Sequence, residues 1–174
     1  MPVLYQENGL IIRYMNKADI GSLCKAEDTQ EIEYLRNHLE NQRRDECACL
    51  LAVLNGEIAG YVFLYSRCCW GGLKDRGIPG IVDLFVYEPY RRMGIAGKLM
   101  DVAEALAARI HDKVYLDVCL MAEYGPAQRF YIMRGYLPDG NGVYYEQEIC
   151  PKDKVIKNDD ELTLCLVKNL KREG

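Results

Sequence analysis

The chain reads as an α/β domain built on a mixed sheet, and three features of the sequence predict it. The apolar run Ile81-Val82-Asp83-Leu84-Phe85-Val86 is followed by apolar positions Ile95, Leu99, Val102, Ala103, Leu106, Ala107 and Ile110 at helical spacing, and then by Lys113-Val114-Tyr115-Leu116-Asp117-Val118. Strand, helix, strand in that order is the crossover expected of parallel pairing. Two further β-rich runs, 47–54 and 57–65, are joined by Asn55-Gly56, whose positive φ angles suit a two-residue antiparallel hairpin. Two late runs, 142–149 and 161–168, add strands with only a charged connection between them, so parallel and antiparallel pairs are expected in one fold.

The bounds narrow the class. A chain of 174 residues, 49% apolar, has interior enough for one core, and a single domain over 1–174 is expected. A formal charge of −4 argues against a nucleic-acid binder working through a broad basic surface. Neither a signal-type apolar segment nor a bilayer-length run is present, so the expected setting is the cytoplasm, with no membrane partner. The eight cysteines form no C-x-x-C pair and there are only two histidines, His38 and His111, so no metal site is expected. Cys47 and Cys49, on one face of a strand, and Cys119 and Cys165, in apolar runs, suit burial as thiols. No His/Asp partner can be nominated for a cysteine nucleophile.

In chain order, Leu10-Ile11-Ile12-Arg13-Tyr14 predicts a strand, and Asp19 is the cap expected for the helix after it. A second helix is expected over about 29–42, with Ile32, Leu35 and Leu39 as its buried stripe and Glu31, Glu33, Arg36, Glu40, Arg43 and Arg44 on the solvated side. Residues 66–80 are the longest irregular segment, with four glycines and the single Trp70, which either plugs a core edge or lines a substrate pocket. The run 81–86, bounded by Pro79-Gly80 and Glu88-Pro89, is expected to be a buried strand. Pro126 suits the first turn of a later helix and Gly135 its C-terminal cap. His111 is expected to be a solvated cation at the end of the central helix. The tail 168–174 is expected to fray.

Between strand and central helix lies Tyr90-Arg91-Arg92-Met93-Gly94-Ile95-Ala96-Gly97. A glycine-bearing loop at a helix start offers free N–H groups and the positive end of the helix dipole, which suit a phosphate. The dinucleotide pattern G-x-G-x-x-G and the triphosphatase pattern G-x-x-x-x-G-K-[ST] are both absent, leaving a plain turn as the bland reading. Arg91-x-x-Gly94-x-Ala96, however, resembles the R/Q-x-x-G-x-G/A pyrophosphate motif of the GNAT superfamily of acyl-CoA-dependent N-acetyltransferases. A second segment, Ala127-x-x-Phe130-Tyr131-x-x-x-Gly135-Tyr136, is similar to that family's A-x-x-(L/F)-Y-x-x-x-G-F. The resemblance covers about residues 10–140. Many relatives carry Asn three residues before the Ala, where this chain has Tyr124.

The resemblance implies a strongly twisted mixed sheet of six to seven strands flanked by about four helices. It implies acetyl-CoA as co-substrate, with no metal, and a primary amine as acceptor attacked in a direct ternary complex. Arg91, Arg92, Met93, Gly94, Ile95, Ala96 and Gly97 would hold the pyrophosphate, and Leu84, Phe85 and Val86 would pair with the pantetheine arm, which Tyr124 would also flank. An N–H of Phe85 or Val86 would polarise the thioester carbonyl. Tyr131 is the candidate general acid, the alternative being an aromatic core pair with Phe130. Asp83 is the candidate base, since a carboxylate in so apolar a strand is costly unless it is paired or faces a cavity; a substrate anchor and a structural ion pair are the alternatives. Trp70 is a substrate-site candidate. A small cationic acceptor is the first expectation, with a protein N-terminus or lysine as the second and a catalytically idle acyl-CoA-binding module as the third. Such sheets often pair, so a homodimer is an open expectation.

Overall fold

The structure, a computed structural model, describes residues 2–23 and 29–170. Its elements are strands β1 (Val3–Glu7), β2 (Leu10–Tyr14), β3 (Cys47–Leu54), β4 (Glu57–Tyr65), β5 (Gly80–Val86), β6 (Lys113–Cys119), β7 (Leu137–Tyr145), β8 (Glu148–Ile149) and β9 (Leu162–Asn169). The helices are α1 (Ile20–Leu23), α2 (Thr29–Arg43), α3 (Ile95–Ala108) and α4 (Gly125–Met133). The chain divides into two compact units, Met1–Ser66 with Ile81–Leu106, and Arg67–Gly80 with Ala107–Gly174. Cys24 and residues 171–174 of the expected frayed tail lie outside the described residues.

In the first unit the strands follow one another as β1-β2-β3-β4-β5, with antiparallel pairing from β1 through β4. Asn55 and Gly56 both have positive φ, 51° and 93°, which is what the tight turn between β3 and β4 requires. Asn8-Gly9 turns β1 onto β2 in the same way, with φ 47° and 79°. Ile12, Leu50, Leu51, Val62 and Phe63 of β2, β3 and β4 are buried, with Leu35 of α2, which packs on β3, and with Leu99, Met100 and Ala103 of α3. The cap after β2 is Asn16 rather than Asp19. Asn16 accepts from the Ala18 N–H at 2.9 Å while its own N–H donates to Asp19 Oδ2 at 2.8 Å, a reciprocal capping box. Arg13 donates to both oxygens of Asp19, at 2.8 and 2.7 Å. Against the cost of burial, the bonds from Arg13 and Asn16 hold the Asp19 carboxyl below its ordinary range.

The second unit has strand order β6-β9-β7-β8, all antiparallel, and Gly80 at the start of β5 pairs in parallel with Tyr115 of β6. Nine strands are present among the described residues, more than the expected six to seven. The excess comes from β1 and from the 142–149 run, which is a hairpin: Glu146 and Gln147, at φ 50° and 66°, turn β7 back onto β8. The helix expected to run to Ile110 ends at Ala108, so Ile110 is 50% exposed instead of buried. His111 Nδ1 accepts from the Lys113 N–H at 3.0 Å beside Asp112, capping the return into β6. Of the cysteines expected in the core, Cys47, Cys49 and Cys165 are buried, whereas Cys119 is only half-buried at the end of β6.

The long 67–80 segment is pinned in this unit. Tyr115 donates its hydroxyl to the Trp70 carbonyl at 2.6 Å, Gly72 N–H donates to Asp117 Oδ2 at 2.8 Å, and Lys74 pairs with Glu148 at 2.9 Å. Gly72 admits no side chain, because a Cβ there would come within 2.7 Å of the Tyr144 ring and 2.9 Å of Cys165. Asp117 Oδ1 is buried with no hydrogen-bond partner among the described residues, and burial pushes its carboxyl up from the ordinary value. A carboxyl raised by folding makes the native state bind more protons than the unfolded chain, so its contribution to stability falls as pH rises from about 4. Asp117→Asn removes that titration. In urea denaturation from pH 4.5 to 7.5 the variant is expected to gain on the wild type as pH rises; parallel profiles would contradict the assignment.

Candidate active site

The backbone of β5 decides the shape of the first unit's functional end. Gly60 of β4 lies so close to it that a Cβ would fall 2.4 Å from the Phe85 carbonyl oxygen and 3.1 Å from Val86 Cα. Tyr87 N–H then closes onto the Ala59 carbonyl at 3.0 Å. Midway, Asp83 adopts φ +53°, a left-handed conformation that costs a non-glycine residue about 1–3 kcal/mol. The strand is therefore less buried than its composition suggested. Gly80 and Ile81 are buried, but Asp83 and Phe85 are exposed, Phe85 by 37%. Asp83 avoids the expected desolvation cost by facing outward.

Asp83 Oδ2 accepts a hydrogen bond from the hydroxyl of Tyr34 on α2. Burial, and after it this bond to a carboxylate, pushes the Tyr34 hydroxyl up from its ordinary value, so it stays a donor. Rings extend from this pair along the sheet. Phe63 stacks on Tyr61 at 5.3 Å, Tyr61 on Phe85 at 5.5 Å, and Phe85 meets Tyr87 edge-on at 5.0 Å. Behind Tyr34, His38 is buried with its ring 4.0 Å from Phe63, and its Nδ1 hydrogen-bonds the Tyr65 hydroxyl at 2.7 Å. The sequence reading of α2 missed Tyr34 and His38. They sit four apart, beside the Leu35 and Leu39 stripe, and counting aromatic positions into that stripe would have found them.

The loop after β5 begins with a 3-10 turn, Glu88–Tyr90. Arg91 turns its Nε back onto the Val86 carbonyl at 3.0 Å, which fixes the loop to the strand end. Arg92 and Gly94 have φ +62° and +79° on either side of Met93. Alternation of this kind points successive N–H groups into one concavity. Among the described residues, the N–H groups of Arg92, Met93, Gly94, Ile95 and Ala96 donate to no other group, and Lys98 N–H donates to Gly94 O at 3.1 Å in the first turn of α3. Arg91, Arg92, Met93 and Gly94 are exposed, Ala96 and Gly97 half-buried, and the Ile95 side chain is buried as the helix's first anchor. Free donors, a helix N-terminus and adjacent guanidinium groups fit a pyrophosphate.

Asp83, Leu84, Phe85, Val86 and residues 91–97 belong to the first unit; Trp70, Tyr124 and Tyr131 belong to the second. Tyr131, on α4, is buried, with its ring 5.5 Å from Phe130 and 5.9 Å from Tyr136, so the aromatic packing weighed from sequence is present. Gly135, at φ +88°, ends α4, and the Tyr136 N–H returns to the Tyr131 carbonyl at 3.1 Å. The Tyr124 hydroxyl donates to Asp160 Oδ1 at 3.0 Å. Trp70 is 41% exposed, so it is no plug of a core edge.

Residues 16–136 match the model of the acetyltransferase (GNAT) family, and the chain belongs to that family. It is an acyltransferase with the mixed α/β fold of that family. Over 123 residues it is 27% identical to an N-alpha-acetyltransferase of Sulfurisphaera tokodaii, covering 61% of this chain and 71% of that protein. Ard1 from Thermoplasma volcanium superposes with a TM-score of 0.63 at 17% identity, over 94% of this chain and 99% of that one. RimL, a ribosomal L7/L12 alpha-N-protein acetyltransferase in complex with coenzyme A, gives 0.71 at 8% identity over 97% and 98% of the two chains. Acetyl-CoA is the co-substrate of this family. Among the described residues no cluster of metal-ligating side chains occurs, and no helix is long and apolar enough to cross a membrane.

Two glycines separate packing from conformation. Gly60→Ala forces β4 and β5 apart and is expected to cost about 1–3 kcal/mol. Gly94→Ala meets nothing within 4 Å and is expected to cost only the left-handed strain, about 1 kcal/mol. Urea denaturation of both variants gives the order; a larger loss at Gly94 would reverse the assignment.

Proposed function

We propose that this enzyme transfers the acetyl group of acetyl-CoA to the primary amine of a cationic acceptor, and that the amine is received at Asp83. The observation that carries this reading is the exposed Asp83 carboxylate, held left-handed in β5 and bonded to Tyr34, whose ring meets the Phe63–Tyr61–Phe85 row edge-on at Phe63. Carboxylate and ring faces together attract an ammonium group. Asp83 then takes the proton that the ammonium must lose before its nitrogen can attack, while Tyr34 fixes the orientation of the carboxylate.

The free N–H groups of residues 92–96, with Arg91 and Arg92, are assigned to the pyrophosphate, and Gly97 and the backbone of Leu84, Phe85 and Val86 to the rest of the co-substrate. Tyr124 is assigned a flanking place beside the pantetheine arm, as a phenol rather than the amide of many relatives. Acetyl-CoA supplies an acyl group already activated as a thioester. Tyr131 is assigned the proton that the thiol leaves with, and a Phe85 or Val86 N–H the charge on the carbonyl oxygen. Trp70, 41% exposed on a pinned loop, is assigned to the acceptor side. The likeness to N-alpha-acetyltransferases supports a second form of the acceptor, the α-amine of a polypeptide, in place of a small cation.

Acetyl-CoA at a hundred times its dissociation constant should stabilise the protein by about 2.7 kcal/mol. Thermal unfolding is expected to show that shift in wild type and in Asp83→Asn, and to lose it in Gly94→Asp. No shift in wild type would remove the co-substrate assignment. In thiol-release assays with peptides bearing free N-termini and with polyamines, Asp83→Asn is expected to lower kcat/KM about 10²-fold or more. Preference for the peptides would select the polypeptide form, and absence of turnover with intact co-substrate binding would mark an idle binding module.

A further inference from the structure

Away from Asp83, the first unit contains a cavity of about 560 Å³ between the end of β2 and the far face of α2. Its rim carries Lys17, Arg36 and Arg43, with Glu40 as the one carboxylate, and Met15, Ile20 and Leu39, all buried, close its floor. Arg36, Leu39, Glu40 and Arg43 recur at three- and four-residue spacing and so share one face of the helix. Tyr34, two residues before Arg36, lies about 200° round the helix, on the side facing β5. The sheet register separates the two places further. Met15 N–H bonds the carbonyl of Cys49, which pairs with Phe63, whereas β5 approaches β4 at Gly60, three residues or about 10 Å along the strand.

The charge balance of this cavity runs against that of the chain. Three cations and one carboxylate line it, in a protein of formal charge −4. Arg43 is paired with Glu40 at 3.3 Å, but Lys17 and Arg36 make no ion pair or hydrogen bond among the described residues. A merely solvated helix face would neutralise such cations with the acidic residues this chain has in excess. Instead two cations from separate segments line one concave, apolar-floored space, and a cleft lined mainly by one sign of charge focuses the field.

The geometry points to a second binding site here, separate from the acetyl-transfer site, for a small organic anion whose carboxylate or phosphate oxygens bridge Lys17 and Arg36. Arg36 supplies the planar fork suited to two oxygens of one group, and Lys17 a second, point charge on the same cavity. Glu40 opposes the ligand directly and also occupies Arg43, so removing its charge both lifts a repulsion and frees a third cation.

The test uses the whole chain with saturating coenzyme A, so that the loop of residues 91–97 is already occupied. Citrate and inorganic pyrophosphate, as carboxylate and phosphate probes, are titrated while amide resonances are followed by NMR. Saturable shifts are expected at Lys17, Arg36 and Asn37. Arg36→Ala and Lys17→Ala, both at exposed positions, are each expected to weaken binding about tenfold, and Glu40→Gln to tighten it. Response to one probe alone would identify the anion type. Absence of saturable shifts, shifts that centre elsewhere, or equal affinity in all variants would overturn the site. Because co-substrate binding is monitored separately, failure here leaves the acetyl-transfer reading standing, and the converse holds.

Discussion

The close approach of β4 and β5 at Gly60 is the constraint on which the first unit's chemistry rests. With no side chain between the backbones, the Phe85 carbonyl and Val86 can come against β4, and Tyr87 can close onto Ala59. The strand then leaves the sheet at a fixed point, so the loop that follows starts from a fixed anchor, reinforced by Arg91 on the Val86 carbonyl. Any side chain at Gly60 would move strand end, loop and helix start together. Local rigidity of this kind keeps the unpaired N–H groups of residues 92–96 convergent before any ligand arrives.

The second dependency is the left-handed turn at Asp83. A non-glycine residue holds that conformation only where its surroundings overdetermine it, and here the Tyr34 hydroxyl holds the carboxylate in place. The consequence is electrostatic. An acidic side chain set in an apolar run is delivered to solvent, with the Tyr34 hydroxyl as its partner. Helix α2 thereby serves two places with two faces: Tyr34 and His38 toward the sheet and Asp83, Arg36 and Arg43 toward the cationic cavity.

The second unit settles its own polar groups differently. The 67–80 segment, irregular and glycine-rich, is held by Asp117, Tyr115 and Glu148 rather than by a hydrophobic plug. Its glycines are required by proximity: a Cβ at Gly71 would fall 2.2 Å from Asp117 Oδ2, and at Gly72 against Tyr144. Asp117 holds the loop through one oxygen and leaves the other buried and without a hydrogen-bond partner among the described residues, so ionising this carboxyl weakens the fold.

By itself the sequence determined whatever depends on local chemistry. Asn55-Gly56 fixed a hairpin, Ala-rich spacing from Ile95 fixed the central helix, Pro126 and Gly135 bracketed α4, and two short motifs at the right separation fixed the family. A further local signal lies at Asn8-Gly9, the same turn chemistry as Asn55-Gly56, although the strand before it, Val3–Glu7, is short and does not alternate. Tertiary structure alone decided the rest. Whether Asp83 is buried or exposed depends on a backbone reversal that no residue type announces. The hydrogen-bond partner of the Asp83 side chain, Tyr34, is 49 residues distant in the chain. Turns and helix spacing are set within a few residues of their cause, and sequence carries them; burial, pairing and the sign of a cavity's field are set by residues that only folding brings together.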